Sequence, residues 1–596
     1  MRKRVPVASI LVIFGVVSLV IAACGGGGEP TPTKAPLVAT TPTATAVTPT
    51  QAPAPTATPF PTPTPQPTAT PIPEEDRPLR GGILLVRLQQ GITQGRGWDS
   101  HWAGGMIEIK VMPTMVNGSL MLDELEPSKF KADLAESWTI SDDGLLYTLN
   151  YASGIRFHDG TPFKASDVIF SYDRIRGVID TGYISHQKDT FAPYVESMDA
   201  PDDRTLRIRL QRPAGAFMNS LSSLFAVIYP EHLGPLYPKD PQNPPVGTGP
   251  FRFEDHKPDV RIQVRRNEDY FKTDKFGGKL PYLDGIDFEI IVDSFTAFAA
   301  FRTGRFLEAD YLDPGILNES IDRIKEQFPN YTYGTGFGSW RMYGFNNKPP
   351  FDDVRIRRAL DLLVDRPGFM LTRYPGYGHS GASPLLPPSL QGRWGLTDQE
   401  TSELINTGPV TPERIAEARA LFDAAGVDYD SFEFKFMVLT IPTYLDDAVF
   451  QQETWRQAGL KVELDLPTLA EFTPRRRSAD YDLYAVPASA IADDPDFVLG
   501  RYYPTGAAEN YGKFSDPKLD EMYLEQSSTT DPVKRREIAL DLQRYILTDA
   551  NWYPKIGWAG AWTAWSPRMR NYSAICPGAY CYRARLEIVW LAPEEN

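Results

Sequence analysis

Histidine and cysteine are scarce in this 596-residue chain, which holds 6 and 3 of them. So thin a supply of imidazole and thiol leaves little from which to build a protein-held zinc site. Neither HExxH, nor a phosphate-cradling loop ending in Lys-Ser/Thr, nor a nucleophile elbow occurs. Gly334-Thr335-Gly336-Phe337-Gly338 lacks the spacing and the following helix of a dinucleotide site. A basic surplus is missing too: 61 Lys and Arg stand against 76 Asp and Glu, a formal charge of −15. That balance excludes the basic face a nucleic-acid partner needs. Long apolar runs are absent beyond the first residues, so no later segment spans a bilayer. These absences leave no motif from which to argue a protein-held metal, a nucleotide cofactor or covalent chemistry.

The one long apolar run, Val5 to Val20, follows Arg2, Lys3 and Arg4 and ends in Ile21-Ala22-Ala23-Cys24. A charged head, an apolar core and small residues before a cut are the parts of an export signal. The run also nears the lower length limit of a membrane helix, but the small residues sit where cleavage needs them. The cysteine at the cut resembles the lipobox of bacterial lipoproteins. That resemblance implies a signal peptide over 1–24 and a lipid on Cys24. Stable anchoring takes two acyl chains or more. Residues 25–77 are mostly Gly, then Thr, Pro and Ala, as in Pro61-Thr62-Pro63-Thr64-Pro65. Such a segment buries too little apolar surface to order itself. It reads as a semi-rigid spacer of ~3.1 Å per residue, reaching ~140 Å at most, with a composition that suits O-glycosylation. The expected place of work is extracytoplasmic, on the periplasmic or outer face of the cell membrane.

With Cys24 set aside, Cys576 and Cys581 remain. An even pair in an exported chain suggests a disulfide, with Pro577-Gly578 turning the chain between them. Two free thiols or a metal pair are the alternatives. So short a loop contributes only about 2 kcal/mol in the entropic account.

From Glu74 onward the composition is that of a globular body, long enough for more than one domain. Asp143-Gly144 is a hairpin signal between short strands. Asp159-Gly160-Thr161-Pro162 is a second turn, leading into a helix near Asp167. Ile356, Ala359, Leu360, Leu363 and Val364 make one apolar helical stripe, with Asp352 or Asp353 as cap and Pro367 past its end. Thr411-Pro412 opens a helix that Gly426 stops. Phe432, Phe434, Phe436 and Val438 alternate as in a strand. A helix to Gln457, stopped by Gly459, then leads to a returning strand from Lys461 to Leu464, which predicts a right-handed βαβ unit. Arg475-Arg476-Arg477, the compact basic run of the body, reads as a solvated loop.

The blocks Leu134-Ala135-Glu136-Ser137-Trp138, Ile155 to Phe163 and Ser166 to Tyr172 closely resemble the signature of the extracellular solute-binding proteins of family 5. Val246 to Phe251, Arg266-Asn267 with Tyr270, Tyr282 to Ile286, and Phe345-Asn346 with Pro350 to Leu360 continue the likeness. It implies an α/β body with the two-lobe periplasmic-binding-protein fold (type II, large cluster with an extra subdomain) and a ligand cleft between lobes. Lobe I is expected over 78–340, lobe II over 341–552, and the return to lobe I over 553–596. The chain would cross near Gly338 to Phe345 and again near Thr548 to Gly557. The implied function is a substrate-binding lipoprotein of an ABC importer, monomeric, taking a peptide or similar organic solute to the permease. An oligosaccharide receptor, a sensor that passes its ligand to a membrane kinase, and a secreted glycoside hydrolase with an acid pair near Asp493 are the alternatives.

Three clusters are candidate ligand contacts under that resemblance. The first is Trp98-Asp99-Ser100-His101-Trp102, whose indoles with His101 can stack on and hydrogen-bond a sugar or peptide; packing on the first lobe is the other reading. In the second, Trp340-Arg341-Met342-Tyr343, alternation aims Trp340 and Met342 one way and Arg341 and Tyr343 the other. Arg341 can take a carboxylate bidentately, or form an interlobe ion pair. The third is Asp493-Asp494 with Tyr502 and Tyr503. Peptide receptors of the family anchor the ligand's amine on an aspartate here, but the matching position is Ile491; Asp493 substitutes if the loop register differs. Asp494 before Pro495 also reads as a helix cap. Truncating Trp340 or Trp102 is expected to weaken binding without unfolding the protein.

Overall fold

The structure, a computed structural model, describes residues 77–92, 98–102, 107–122, 129–185, 187–238, 243–309, 321–489, 493–572 and 586–593. The expected signal peptide, Cys24, the tether up to Asp76, Ile491, Cys576 and Cys581 lie outside them. The chain divides into two units, Met1–Pro71 and Ile72–Asn596, and all the strands and helices named below belong to the second.

Strand β1 (Ile83–Leu88) buries Leu84, Val86 and Leu88. Strands β2 (Ala135–Ile140) and β3 (Leu146–Tyr151) form the expected hairpin. Its turn closes where Asp143 Oδ1 accepts from the Leu145 amide at 3.0 Å and Gly144 takes a φ of 70°. The Asp159-Gly160 turn is likewise present, with the Thr161 amide donating to Asp159 Oδ1 at 2.9 Å. It feeds helix α1 (Ala165–Arg176), where Asp167 accepts from the Lys164 amide at 2.8 Å and secures the first turn. Strands β4 (Val195–Asp202) and β5 (Thr205–Leu210) complete an antiparallel sheet in the order β2-β3-β5-β4. Leu149, Tyr151, Leu206 and Ile208 of the sheet pack against Val168 and Tyr172 of α1. The short helix α2 (Phe217–Leu221) closes one end of that core.

Strands β6 (Phe251–Lys257), β7 (Arg261–Arg266) and β8 (Gly285–Ile290) then join β1 in the order β1-β8-β7-β6, with β1 parallel to β8. The glycine turn before β6 has a steric cause. A Cβ on Gly249 would lie 2.4 Å from the Met115 carbonyl carbon, and one on Gly247 2.1 Å from the Met115 oxygen. The Gly249 amide uses that closeness to donate to Met115 O at 2.8 Å.

After β9 (Glu308–Ala309) comes β10 (Thr332–Phe345), a strand of 14 residues. Helices α3 (Val354–Leu362) and α4 (Arg366–Arg373) follow. Asp353 caps α3 by accepting from the Arg355 amide at 2.8 Å, and the predicted apolar stripe is buried. Pro367 does more than follow α3: it sits in the first turn of α4, which Asp365 caps through the Gly368 amide at 2.9 Å. Helix α5 (Pro412–Ala425) has Thr411 as cap and Gly426 in the left-handed region at its end. Strand β11 (Glu433–Met437), helix α6 (Pro442–Gln457) and strand β12 (Lys461–Asp465) form the predicted βαβ unit, its strands parallel. Arg475-Arg476-Arg477 is not a solvated loop. It is the last turn of helix α7 (Leu469–Arg477), where cations suit the helix dipole; Arg475 pairs with Asp465 at 2.5 Å and Arg476 lies 4.3 Å from the Tyr511 ring. Strand β13 (Leu483–Ser489) leads to helices α8 (Pro495–Tyr502), α9 (Pro517–Ser528) and α10 (Pro532–Tyr545), and strand β14 (Lys555–Trp565) returns. The sheet order is β9-β14-β10-β13-β11-β12.

Strands β10 and β14 run antiparallel from Thr332↔Trp565 to Met342↔Lys555. Their side chains change core along the way. Trp565 packs with Leu84 and Phe251, whereas Trp562 and Ala564 pack with Phe301 and Ile324. Trp340, Ile556 and Trp558 belong instead with Leu360 and Phe436. The ladder slips between Phe337 and Ser339 and again between Arg341 and Met342; along β10 the membership changes between Tyr333, which packs on the Trp562 core, and Phe337, which packs on the Trp340 core. This is a two-lobe α/β architecture.

Because Gly249 has no space for a methyl group, Gly249→Ala is expected to cost ~2–3 kcal/mol of unfolding free energy. Urea denaturation followed by tryptophan fluorescence checks it; an unchanged midpoint would contradict the packing described.

Candidate functional site

Strand β13 lies between β10 and β11, and both β11 and β13 run toward the slip in β10, where Ser489 pairs with Ser339. The helices that follow them leave on opposite faces. Trp455 of α6 packs against Phe434, Phe436 and Tyr343 on one face. Tyr502 of α8 meets Trp340 on the other, as alternation along β10 requires. Adjacent parallel strands whose helices diverge leave a crevice at their carboxyl ends, the usual ligand place in open α/β sheets. Here β13 ends beside Ser339 of β10, whereas β11 ends level with Tyr484.

The α6 wall carries Arg341 and Arg373, which share one carboxylate. Arg341 Nε donates to Asp447 Oδ2 at 2.8 Å and Arg373 Nε to Asp447 Oδ1 at 2.9 Å. Tyr374 adds its hydroxyl to Oδ2 at 3.0 Å. The Arg341 guanidinium also lies 5.1 Å from the Tyr374 ring and 5.9 Å from the Tyr444 ring. Arg341 and Tyr343 do share a face, as expected. Tyr343 is nonetheless a core residue, packed on Phe436 and Trp455.

On the α8 wall, Asp493 Oδ2 accepts from the Arg393 amide at 3.2 Å and from its Nε at 3.1 Å. Burial pushes the Asp493 carboxyl pKa up, against the pull of Arg393. Asp494 is the helix cap that its place before Pro495 allows: it accepts from the Asp496 amide at 3.0 Å. It also takes Arg535 bidentately, at 2.7 Å on both oxygens, and Asn219 Nδ2 at 2.9 Å. With Asp494 and Asp496 both enclosed, these acids do not form an open pair of the kind that glycoside hydrolysis uses.

Several expected contacts are packing residues instead. Trp340 is 1 % exposed and touches Trp558 edge-on at 5.2 Å; its truncation would open a core cavity, so it does not report binding alone. Tyr502 and Tyr503 are buried against Tyr553, because α8 lies on the sheet with that side inward. Trp98 is 0 % exposed, with Phe253 and His256 against its indole. Asp99 and His101 are equally enclosed. Arg174 Nη2 pairs with Asp99 at 2.7 Å, and its Nη1 donates to His101 Nδ1 at 3.0 Å. His101 Nε2, left with the proton, donates to Val227 O at 2.8 Å. Of that run, Trp102 keeps some exposed surface, stacked on Tyr183 at 4.9 Å.

Arg393, Asp447, Arg535, Asn219 and Lys555 have no local signal in the sequence. Lys555 is buried with its ammonium 4.0 Å from the Trp558 ring and 4.2 Å from that of Trp340, and it donates to Pro384 O at 2.7 Å. Burial pushes its pKa well below the ordinary amine range. A separate polar depression of about 570 Å³ lies beside the amino end of β13, lined by Lys435, Asp465, Arg475 and Asp482 among others. Arg475 there is paired with Asp465 and Asp480. Among the described residues no group of His, Cys, Asp and Glu is placed to hold a metal ion, and no helix is long and apolar enough to cross a membrane.

A family model described as bacterial extracellular solute-binding proteins, family 5 Middle, matches residues 129–510, well over half of the chain. Heme-binding protein A of Haemophilus influenzae is 28% identical over 484 residues, covering 75% of this chain and 82% of that protein. The dipeptide-binding protein of Escherichia coli K12 is 25% identical over 483 residues, covering 76% and 85%. The periplasmic binding protein DppA of Helicobacter pylori, solved with the peptide STSA, superposes with a TM-score of 0.70 at 21% identity, covering 86% of this chain and 98% of that one. These relatives are binding proteins.

Burial first, and the Arg174 guanidinium second, push the His101 pKa from 6.5 down to about 4. The unfolded chain therefore takes up a proton that the folded one refuses. Stability from His101 is complete above pH 6.5 and drains away as pH falls toward 4. Between these limits the wild type is expected to lose ~2–3 kcal/mol more than His101→Gln does, as read from urea midpoints against pH. Equal slopes would rule the assignment out.

Proposed function

The chain belongs to the bacterial extracellular solute-binding proteins of family 5, and from that membership we propose that it is the substrate-binding lipoprotein of an ABC importer. It captures a peptide or similar organic solute between two lobes and delivers it unaltered to the permease. Residues 78–340 and 553–596 make one lobe and 341–552 the other, with β10 and β14 as the hinge. The lipid on Cys24 and the Thr/Pro spacer hold the body near the membrane, and Cys576 pairs with Cys581.

The observation that carries this reading is that β11 and β13 are adjacent parallel strands whose following helices leave on opposite faces, the arrangement that leaves a ligand crevice at the carboxyl ends of open α/β sheets. Its walls suit a zwitterion. Arg341 and Arg373 stand on the α6 side, and Asp493 on the α8 side. A solute carboxylate would compete with Asp447 for the guanidinium groups, and a solute amine with Arg393 for Asp493. Trp102 supplies an aromatic face from the first lobe. Closure is favoured by a solute that contacts both lobes at once, because only differential affinity shifts the equilibrium. Peptide comes before oligosaccharide because relatives are named for dipeptides and solved with peptides and because charged walls suit charged ends. No covalent step is assigned, since Asp494 and Asp496 are committed to Arg535.

Mass spectrometry of solute released from gently purified protein, with titration calorimetry on a pool of dipeptides and tripeptides, tests the proposal. Micromolar or tighter binding is expected. Asp493→Asn and Arg373→Gln should each weaken it about tenfold or more without shifting the thermal midpoint appreciably. Oligosaccharide binding in place of peptide would favour the alternative receptor. Turnover of any candidate would overthrow the receptor reading.

A further inference from the structure

Apart from β10 and β14, the hydrogen bonds that join residues 77–309 to residues 341–552, among the described residues, gather in one patch. The first half offers Tyr194 at the start of β4, Arg212 and Gly215 after β5, and Asn219 in α2. The second half offers the amino end of α8 and the carboxyl end of α9. Tyr194 donates its hydroxyl to Asp496 Oδ2 at 3.1 Å and bonds Ser527 Oγ at 2.9 Å. Asn219 Nδ2 donates to Asp494 Oδ2 at 2.9 Å, and Arg212 Nη1 to Ser528 Oγ at 2.7 Å. The Gly215 amide donates to Ser527 O at 2.9 Å.

The receiving side is complete without its partner. Arg535 neutralises Asp494 bidentately and lies 3.5 Å from Asp496, which also bonds Gln526 and Ser527. Separation of the halves therefore strands no charge. The fit is nevertheless close. A Cβ on Gly215 would lie 2.6 Å from Thr529 O and 2.7 Å from Arg535 Nε, and Gly215 is outside the left-handed region, so its own backbone would accept alanine. What excludes a methyl there is the opposite half. The patch also adjoins the crevice in sequence: Asp493 faces Arg393 while its neighbour Asp494 holds Asn219.

We propose that this patch is a closure latch, in which Tyr194, Gly215 and Asn219 dock on the preassembled Asp494–Arg535–Asp496 cluster and set solute affinity without touching the solute. The inference rests on the two-lobe receptor reading. Because the apparent affinity scales with the fraction of protein in the competent form, loosening the latch weakens binding from a distance. It acts on every solute alike, since no latch residue reads the solute.

Hydrogen–deuterium exchange on the full chain without solute reads the latch directly. In Gly215→Ala and in Tyr194→Phe, exchange across residues 212–219 is expected to rise about tenfold while β3 is unchanged. Tyr194→Phe keeps its ring packing and serves if Gly215→Ala does not fold. Calorimetry with the same peptide pool should show both variants weakened at least about fivefold, by a common factor for different peptides. Unchanged exchange in both variants overturns the latch. Raised exchange with unchanged affinity overturns its coupling to the solute. If the wild type binds none of the pool, the peptide reading fails, and the exchange measurement still decides the latch.

Discussion

The antiparallel pairing of β10 with β14 is the constraint on which the rest of the molecule depends. Both strands are far longer than the roughly five or six residues usual for a strand, and each hands its side chains from one core to another. Trp340 and Trp558 are directly opposed in register and buried in the second half, whereas Trp562 and Trp565 near the other end serve cores of the first half. A continuous ladder resists shear between the strands. This ladder slips between Phe337 and Ser339 and again between Arg341 and Met342. β13 ends beside this junction, level with Ser339, and the patch around Asp494 lies a few residues beyond it.

Two buried polar clusters hold the loops around this junction. Asp99, Arg174, His101 and Tyr183 fix the Trp98–Trp102 segment, and Asp494, Arg535 and Asp496 fix the start of α8. Buried ion pairs add little net stability over apolar replacements, because desolvation opposes their attraction. What they supply is position: a guanidinium with two or three acceptors has few alternative geometries. Lys555 follows another rule. Its ammonium has indole faces and one carbonyl in place of a carboxylate, which explains its depressed pKa and the close packing of Trp340 around it.

Local order is legible wherever one residue type has one local use. Asp143-Gly144, Thr411-Pro412 with Gly426, and the alternating Phe434 and Phe436 all become the elements their chemistry predicts. Pro367 departs from expectation in detail because a proline that ends one helix is equally suited to start the next. The arginine run departs from it because helix α7 and its partner Asp465 are set by tertiary contact. The candidate site is less legible. Trp98, Trp340, Tyr502 and Tyr503 are aromatic and adjacent to informative text, yet each is buried against other rings. Asp493 and Arg341 are held by ion pairs whose partners, Arg393 and Asp447, are each about a hundred residues away in the chain.

By itself, then, the sequence determined the α/β class, the order of elements, the turns, the helix caps and the family, because these follow from neighbouring residues and their spacing. Only the tertiary structure decided which aromatic rings are core and which face solvent, and which acids are neutralised. It also decided where the halves touch. Burial and charge pairing arise between segments that the chain brings together from far apart, and no local pattern encodes the partner.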